Sequence, residues 1–512
     1  MRKTIFNYCM IFFIICYTCF LLLLARHTVV WEDELYTLHT TERSVPFAFS
    51  ESYNFEGQPP VYFVLLSAWR YLSESLFFAR SFSVLFVLLS GLLIYKLCRI
   101  LSDHYFSTLI TVLFLVTPFV VGQSFDTRLY SFIIFLALLS LYTFYNAYLI
   151  DDSKSNVYKL LHCFISLAGV FTEYFFIFPL IAQAISLIPL RGLKKFINYS
   201  LIQFPVAVLF VINYLIVSKG LHIYSGTSLL PAEMFRKLFM SVQNFLFSFN
   251  SISLGFFVRK LIWLLYFIWL ISIFRNLKFS FRSLQERTKP FLFQIIISVL
   301  IFLLFTLFFL TQKIPYYDKY MSVLYPSLFL VFAISLTMGR KLSFLILVSL
   351  LLLYNVFIDF NTYSSYVRLY DYEQIAGYIE KVQKPDEPIL LYSNGHALPF
   401  QYYYKGNNPI LPLPVPVRFD LNYMNDIHIK DTLMLNKIFE KDRKIENRFI
   451  YISDNLPSLL GKSLNYDIVD QYMEKKFYVR LDTLIKGRSK NAGLRVRGYE
   501  RKKAFEILGA GN

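Results

Sequence analysis

The sequence predicts a polytopic α-helical membrane protein of about eleven spans with a soluble α/β domain at its C-terminal end. Three observations lead there. Hydrophobic residues make up 56% of the 512 positions and charged residues only 17%, whereas a water-soluble domain carries about 25% charge. Apolar runs recur along the first 360 positions, most of them near the ~20 residues that a helix needs to cross about 30 Å of hydrocarbon. Charge density then steps from 12% over residues 1–360 to 27% over 361–512. Together these exclude a disordered chain, a soluble multi-domain enzyme and a small disulfide scaffold. The expected organisation is a transmembrane module over 1–360, with a long first outer loop at 26–75, followed by a soluble domain over 361–512.

The chain opens Met1-Arg2-Lys3 and runs apolar to Ala25. That run is long for a signal peptide core and no small-residue cleavage site follows, so it reads as a first membrane helix. Further spans are expected at 76–98, 104–121, 129–149, 157–172, 174–190, 198–217, 259–275, 291–311, 319–338 and 342–360. With the N-terminus cytoplasmic, the short loops bearing Lys96/Arg99, Lys154/Lys159, Arg191/Lys194/Lys195, Arg275 to Lys289 and Arg340/Lys341 lie inside, as the positive-inside rule requires. Loops 26–75, 122–128, 218–258 and 312–318 and the tail then lie outside. Within the first of these, Pro59-Pro60 opens an aromatic stretch, Val61 to Tyr71, too short to span; it reads as a juxtamembrane or re-entrant helix. In the tail, helices are expected at Tyr372 to Val382 and Leu398 to Tyr404, and strands at Pro388 to Tyr392 and Phe449 to Ile452. An Asn394-Gly395 turn and a proline-punctuated loop through Pro412, Pro414 and Pro416 lie between them.

The net charge of +17 suits basic inner loops and anionic lipid or phosphate contacts better than nucleic acid. The five cysteines, Cys9, Cys16, Cys19, Cys98 and Cys163, lie in or beside apolar runs, and the tail has none. The Cys16/Cys19 spacing sits inside an apolar helix and reads as packing. The seven histidines show no ligand spacing, and there is no nucleotide-binding or serine-hydrolase motif. No cofactor is expected; a divalent cation stays open, without a ligand motif to support it.

Four polar clusters fall on the expected outer face. Trp31-Glu32-Asp33-Glu34 follows the first span; it is either an acidic interface patch or a source of a base or cation ligand. Asp126 and Arg128 occupy a short turn, either as a helix-ending pair or as a phosphate site. Glu173 stands in a tight turn. Lys313, Tyr317, Lys319 and Tyr320 form an interfacial anchor or a lipid-phosphate site. Acids suited to a hydroxyl beside cations suited to a phosphate suggest group transfer from a lipid phosphate.

The pair Asp33-Glu34, the segment Gln58-Pro59-Pro60-Val61-Tyr62, the turn Asp126-Thr127-Arg128-Leu129-Tyr130, Thr172-Glu173-Tyr174-Phe175 and Lys319-Tyr320 resemble the GT-C glycosyltransferases. The group is that of the bacterial relatives of dolichyl-phosphate-mannose protein mannosyltransferase and of the lipid A aminoarabinose transferase. The resemblance covers roughly residues 5–400. It implies a GT-C-like body in the cell inner membrane, a polyprenyl-phosphate-linked sugar as donor, inversion at the anomeric carbon, and an unspecified periplasmic acceptor that is a glycan, a lipid or a protein hydroxyl. It also implies Asp33 as base, supported by Glu34 and Asp126, with Arg128 and Lys319 at the phosphate. Gln58, Tyr130, Glu173, Lys313, Tyr317 and Tyr320 would complete the substrate contacts. The chain departs from the family in having Asp126-Thr127-Arg128-Leu129-Tyr130 where Glu-Ala-Arg-Met-Tyr is frequent, Glu173 where His is frequent, and Lys319-Tyr320 where Arg-Tyr is frequent. The competing readings are a lipid-linked saccharide transporter or flippase, and a non-catalytic envelope assembly protein that binds a partner through its tail.

Overall fold

The computed structural model describes residues 2–150, 154–218, 231–247, 285–311, 318–337, 341–420, 429–441, 447–454, 466–487 and 493–502, with three isolated positions between 260 and 267. The described chain divides into two compact units. One comprises Met1–Arg26, Thr40–Tyr53 and Gly57–Ser364; the other comprises His27–His39, Asn54–Glu56 and Ser365–Asn512.

The first unit is helical. Seven of its described helices are long and apolar enough to cross a membrane, from Phe6–His27 to Lys341–Tyr363. The expected span at 104–121 is instead a bent pair, His104–Leu115 and Pro118–Ser124, kinked by 61°. Pro118 has no N–H to continue the first helix but is well placed at the start of a second. Tyr363 Oη donates to the Pro118 carbonyl at 3.0 Å, fixing the bend to the last membrane helix. Polar N-caps start two of the helices. Ser75 Oγ accepts from Phe78 N at the head of Leu76–Leu101, and the Asp103 carboxylate accepts from Phe106 N at the head of His104–Leu115.

Two expected spans are short. Residues 155–170 form a 16-residue helix, and in 319–338 the α-helix occupies only Tyr325–Thr337 because Asp318–Val323 is wound as a 3₁₀ turn. The expected span at 259–275 lies outside the described residues. The stretch after Pro59-Pro60 is a helix, Val61–Arg70, that buries Tyr62, Phe63, Leu66, Ser67 and Arg70. Cys9, Cys16 and Cys19 are exposed on the surface of the first helix rather than packed inside the unit, and all five cysteines are free thiols.

The second unit is built on a five-stranded sheet ordered β2-β1-β3-β5-β4. Its strands are β1 (Ile389–Tyr392), β2 (Ile410–Pro412), β3 (Arg448–Asp454), β4 (Phe477–Lys486) and β5 (Gly493–Arg501). β1 pairs in parallel with β2 and β3, while β5 runs antiparallel to both β3 and β4. Both faces of the central strands are covered, which is why β1 reads as an unbroken apolar run. Ile389, Leu391, Ile450 and Ile452 pack on one side with Ile375, Ile379 and Phe400. Leu390, Tyr392, Phe449 and Tyr451 pack on the other with Leu435, Val469 and Met473. Val29, from the segment before the helix Glu32–Thr40, belongs to the first of these cores.

Candidate active site

In the helical unit the turn after Pro118–Ser124 carries Asp126, Thr127 and Arg128, all buried. Ser83 Oγ donates to the Asp126 carbonyl at 2.6 Å, so the turn is seated on the helix Leu76–Leu101. Tyr130 begins the next helix, and Lys319 Nζ stands 5.7 Å from the centre of its ring. Lys319 comes from the 3₁₀ turn whose first residue, Asp318, accepts from Ser241 Oγ at 2.7 Å and Asn244 Nδ2 at 3.2 Å. Those two residues hold the turn from the helix Pro231–Phe247. The Tyr320 ring packs 5.6 Å from Phe175 and 6.5 Å from Phe309.

Glu173 joins this group from a third element. The helix Ser155–Val170 ends three residues earlier, and Glu173 is extended before the 3₁₀ turn Tyr174–Phe176. Burial pushes its carboxyl up to about 7, against the pull of the Phe175 backbone N–H and of the Arg128 and Lys319 cations. The close approach of the two elements requires Gly169, where a side-chain methyl would overlap the Phe176 ring. Gly169→Ala should therefore lower stability by about 1–3 kcal/mol through overpacking. Thermal unfolding in detergent measures this; an unchanged midpoint would show that the turn yields freely.

The Gln58 segment is tied to the same place. Gly57 takes a left-handed φ of 63°, and Gln58 N donates to the Ser52 carbonyl at 2.8 Å. Val61 N then donates to the Phe171 carbonyl at 2.9 Å, two residues before Glu173. Gln58 Oε1 is buried and accepts no hydrogen bond among the described residues. Beside this link lies an apolar groove of about 360 Å³, lined by Val61, Phe164, Leu167, Ala168, Phe171 and Leu209.

The acidic residues that follow the first membrane helix belong to the other unit. Glu32, Asp33 and Glu34 form the first turn of the helix Glu32–Thr40, where the backbone dipole favours negative charge. Glu34 is fully buried, with Oε2 3.4 Å from Arg368 Nη2. Glu32 Oε1 accepts from Tyr36 Oη at 2.9 Å. Asp33 is half-buried, and its carbonyl accepts from Thr37 Oγ1 at 3.2 Å; the same hydroxyl lies 3.3 Å from Glu56 Oε1.

Arg128, Tyr130, Glu173 and Lys319 thus gather in one place, with Gln58 linked to it through Val61 and Phe171, and Tyr320 through Phe175. Asp33 and Glu34 stand in the other unit, and Lys313 and Tyr317 lie outside the described residues. Sequence reading passed over Ser241 and Asn244, whose polar contacts on an amphipathic helix were the available signal, and Arg368, whose partner is far away in the chain. Among the described residues no group of three or more His, Cys, Asp or Glu is arranged to hold a metal ion.

No family model matches the chain, and no curated protein does. Solved structures do. The apo structure of ArnT from Cupriavidus metallidurans aligns over 97% of this chain and 98% of its own, with a TM-score of 0.56 at 12% identity. The chain has the GT-C fold. ArnT from the same organism bound to undecaprenyl phosphate aligns over 95% of this chain and 98% of its own, with a TM-score of 0.51 at 12% identity. The likeness therefore extends over the helical body and the sheet-bearing C-terminal part alike, and the chain is a multi-pass membrane protein.

The Glu173 carboxyl makes the cation cluster sensitive to pH. Below about pH 7 it is protonated and leaves both cations to an anion; above, its charge competes for them. Retention of an inorganic phosphate probe by the wild type, taken relative to Glu173→Gln, should weaken as pH rises from about 6 to 8. A flat ratio would contradict this. The sign for stability is the same. An acid with a raised folded value destabilises its ionised form, so the protein loses stability as pH rises from the usual carboxylate range through about 7. Glu173→Gln should raise the melting temperature at about pH 8 and leave it unchanged at about pH 4.

Proposed function

We propose that this protein is an inverting glycosyltransferase that moves a sugar from a polyprenyl-phosphate donor to a periplasmic hydroxyl acceptor. The observation that carries the reading is the meeting of Arg128, Lys319 and Glu173 in one place, Arg128 buried and the other two half-buried, on a fold shared with a protein solved with undecaprenyl phosphate. Two cations held in a low-dielectric setting suit a leaving phosphate, since they act where negative charge develops. The apolar groove beside Phe171 suits the isoprenoid chain. The buried Gln58 Oε1 suits a sugar hydroxyl.

In this mechanism the acceptor oxygen attacks the anomeric carbon from the face opposite the phosphate. The bond from that carbon to the phosphate oxygen breaks, and its electron pair leaves with the polyprenyl phosphate. Asp33 takes the acceptor proton as a general base. A single displacement inverts the centre and needs no covalent sugar intermediate. Glu34, fully buried beside Arg368, is a supporting residue rather than a second base. Asp126 holds the Arg128 turn.

The deciding experiment supplies the protein in nanodiscs with a panel of undecaprenyl-phosphate-linked hexoses and pentoses, and compares envelope glycans, lipids and proteins by mass spectrometry with and without the gene. Loss of one sugar from one acceptor class is expected. Movement of lipid-linked sugar across the bilayer with no glycosidic product would overturn the reading in favour of transport.

A further inference from the structure

The segment that bears Asp33 is gripped by the C-terminal unit on nearly every residue around it. Val29 N donates to the Tyr366 carbonyl at 2.9 Å, and the Val29 side chain lies in the core beside β1 and β3. Val30 N donates to Tyr403 Oη at 2.8 Å. The Arg368 guanidinium stands 5.5 Å from the centre of the Trp31 ring while it faces Glu34. The Glu32 carboxylate packs against Gly395, where a methyl group would overlap it. The His39 ring lies tilted against Phe419, with centroids 3.8 Å apart, close to the far end of the helix. Asp33 is thus flanked on both sides by residues whose side chains are fastened to the tail.

The physics favours a rigid mount. The Arg368–Glu34 pair removes a carboxylate from water, so the guanidinium must remain in place. Arg368 meets two neighbours of Asp33 at once, through charge toward Glu34 and through its flat face toward Trp31. Helices and sheet cores position a side chain more tightly than a free loop does.

We infer that the C-terminal unit is a positioning device for Asp33, with Arg368 and Gly395 as its positioning residues. This rests on Asp33 being the base of the reaction proposed above. Arg368 touches no reacting atom; it acts through Glu34 and Trp31. A 1 Å displacement of a reacting group costs on the order of 10²-fold in rate, so loosening the mount should lower turnover without changing donor affinity.

The test uses the full chain in nanodiscs and two readouts. Hydrogen–deuterium exchange of residues 29–39 reports the mount whether or not transfer is observed. Arg368→Ala should speed exchange there about tenfold while the core strands β1 and β3 keep their protection. Arg368→Lys, which keeps the charge but loses the flat face, should fall between the two. With undecaprenyl-phosphate sugars as donor, kcat should fall by about 10² in Arg368→Ala with KM for the donor unchanged, and partly recover in Arg368→Lys. Gly395→Ala should give the same split through Glu32, and decides the matter if Arg368→Ala unfolds the whole tail. Unchanged exchange in 29–39 in both Arg368→Ala and Gly395→Ala overturns the inference, as does an equal rise in KM. Faster exchange in the variants, with no sugar transfer even by the wild type, would leave the mount standing and remove the glycosyltransferase reading instead.

Discussion

Asp33→Asn should lower sugar transfer by about 10²–10⁴-fold while leaving undecaprenyl phosphate binding and the melting temperature unchanged. The substitution keeps the size of the side chain, exchanges one acceptor oxygen for an NH2 donor, and removes its ability to take a proton. Nothing in the packing should suffer, because Asp33 is half-buried and the fully enclosed carboxylate of the segment is Glu34. Transfer is measured as glycosylated product per enzyme in single turnover. Single turnover isolates the chemical step from product release. Full retained transfer would remove Asp33 from the mechanism. A parallel loss of lipid binding would make it a substrate ligand rather than a base.

Arg128→Met should act on the other half of the reaction. Loss of a charge-assisted hydrogen bond to a phosphate costs roughly 1.5–3 kcal/mol, or about 10–10²-fold in affinity. Undecaprenyl phosphate binding should weaken by that factor, and transfer should fall further because the cation also meets charge that grows in the transition state. Arg128→Lys should lie between, since an ammonium keeps the charge but not the two-pronged geometry. The Met variant should also raise Glu173 further, because one of the two cations that oppose its burial is gone. Binding that is unchanged in Arg128→Met would place the phosphate elsewhere.

The membrane body was legible because length and apolar composition settle where a helix can span, and neither depends on distant partners. The kink at Pro118 and the short helix after Asp318 were less so: 104–121 and 319–338 each read as one apolar stretch, and backbone chemistry divides them. In the tail, β1 and β3 announced themselves as buried runs. β4 and β5 did not. Arg480, Asp482, Arg495 and Arg497 interrupt their apolar residues, and the register shift between Val479 and Leu481 breaks the two-residue period. The pairs that account for those charges, Arg495 with Asp482, Arg497 with Asp470 and Arg480 with Glu387, are visible only once the unit is folded.

The same limit governs the site. Asp126, Arg128, Glu173 and Lys319 could be nominated because their charge is unusual where it stands and because they match the family pattern. Their convergence, and the elevated carboxyl of Glu173, came from burial that no local pattern encodes. Ser241 and Asn244 act on Asp318 from 77 and 74 positions away, and Glu34 faces Arg368 from the far end of the chain. Pairings of that kind are properties of the fold.

The membership of His27–His39 in the C-terminal unit carries a consequence for how the chain is made. Val30 meets Tyr403, 373 positions later, and Val29 fills a core whose other members are translated after the membrane helices. The loop must wait through most of synthesis with its apolar and acidic residues unhoused, and the closing of so long a loop is slow. A chain cut after residue 364 would not be a membrane body lacking an accessory; it would leave Glu34 without its guanidinium and Val29 without its core. Supplying 365–512 as a separate polypeptide should therefore restore order to the first outer segment, as fragment complementation does between two halves of one domain.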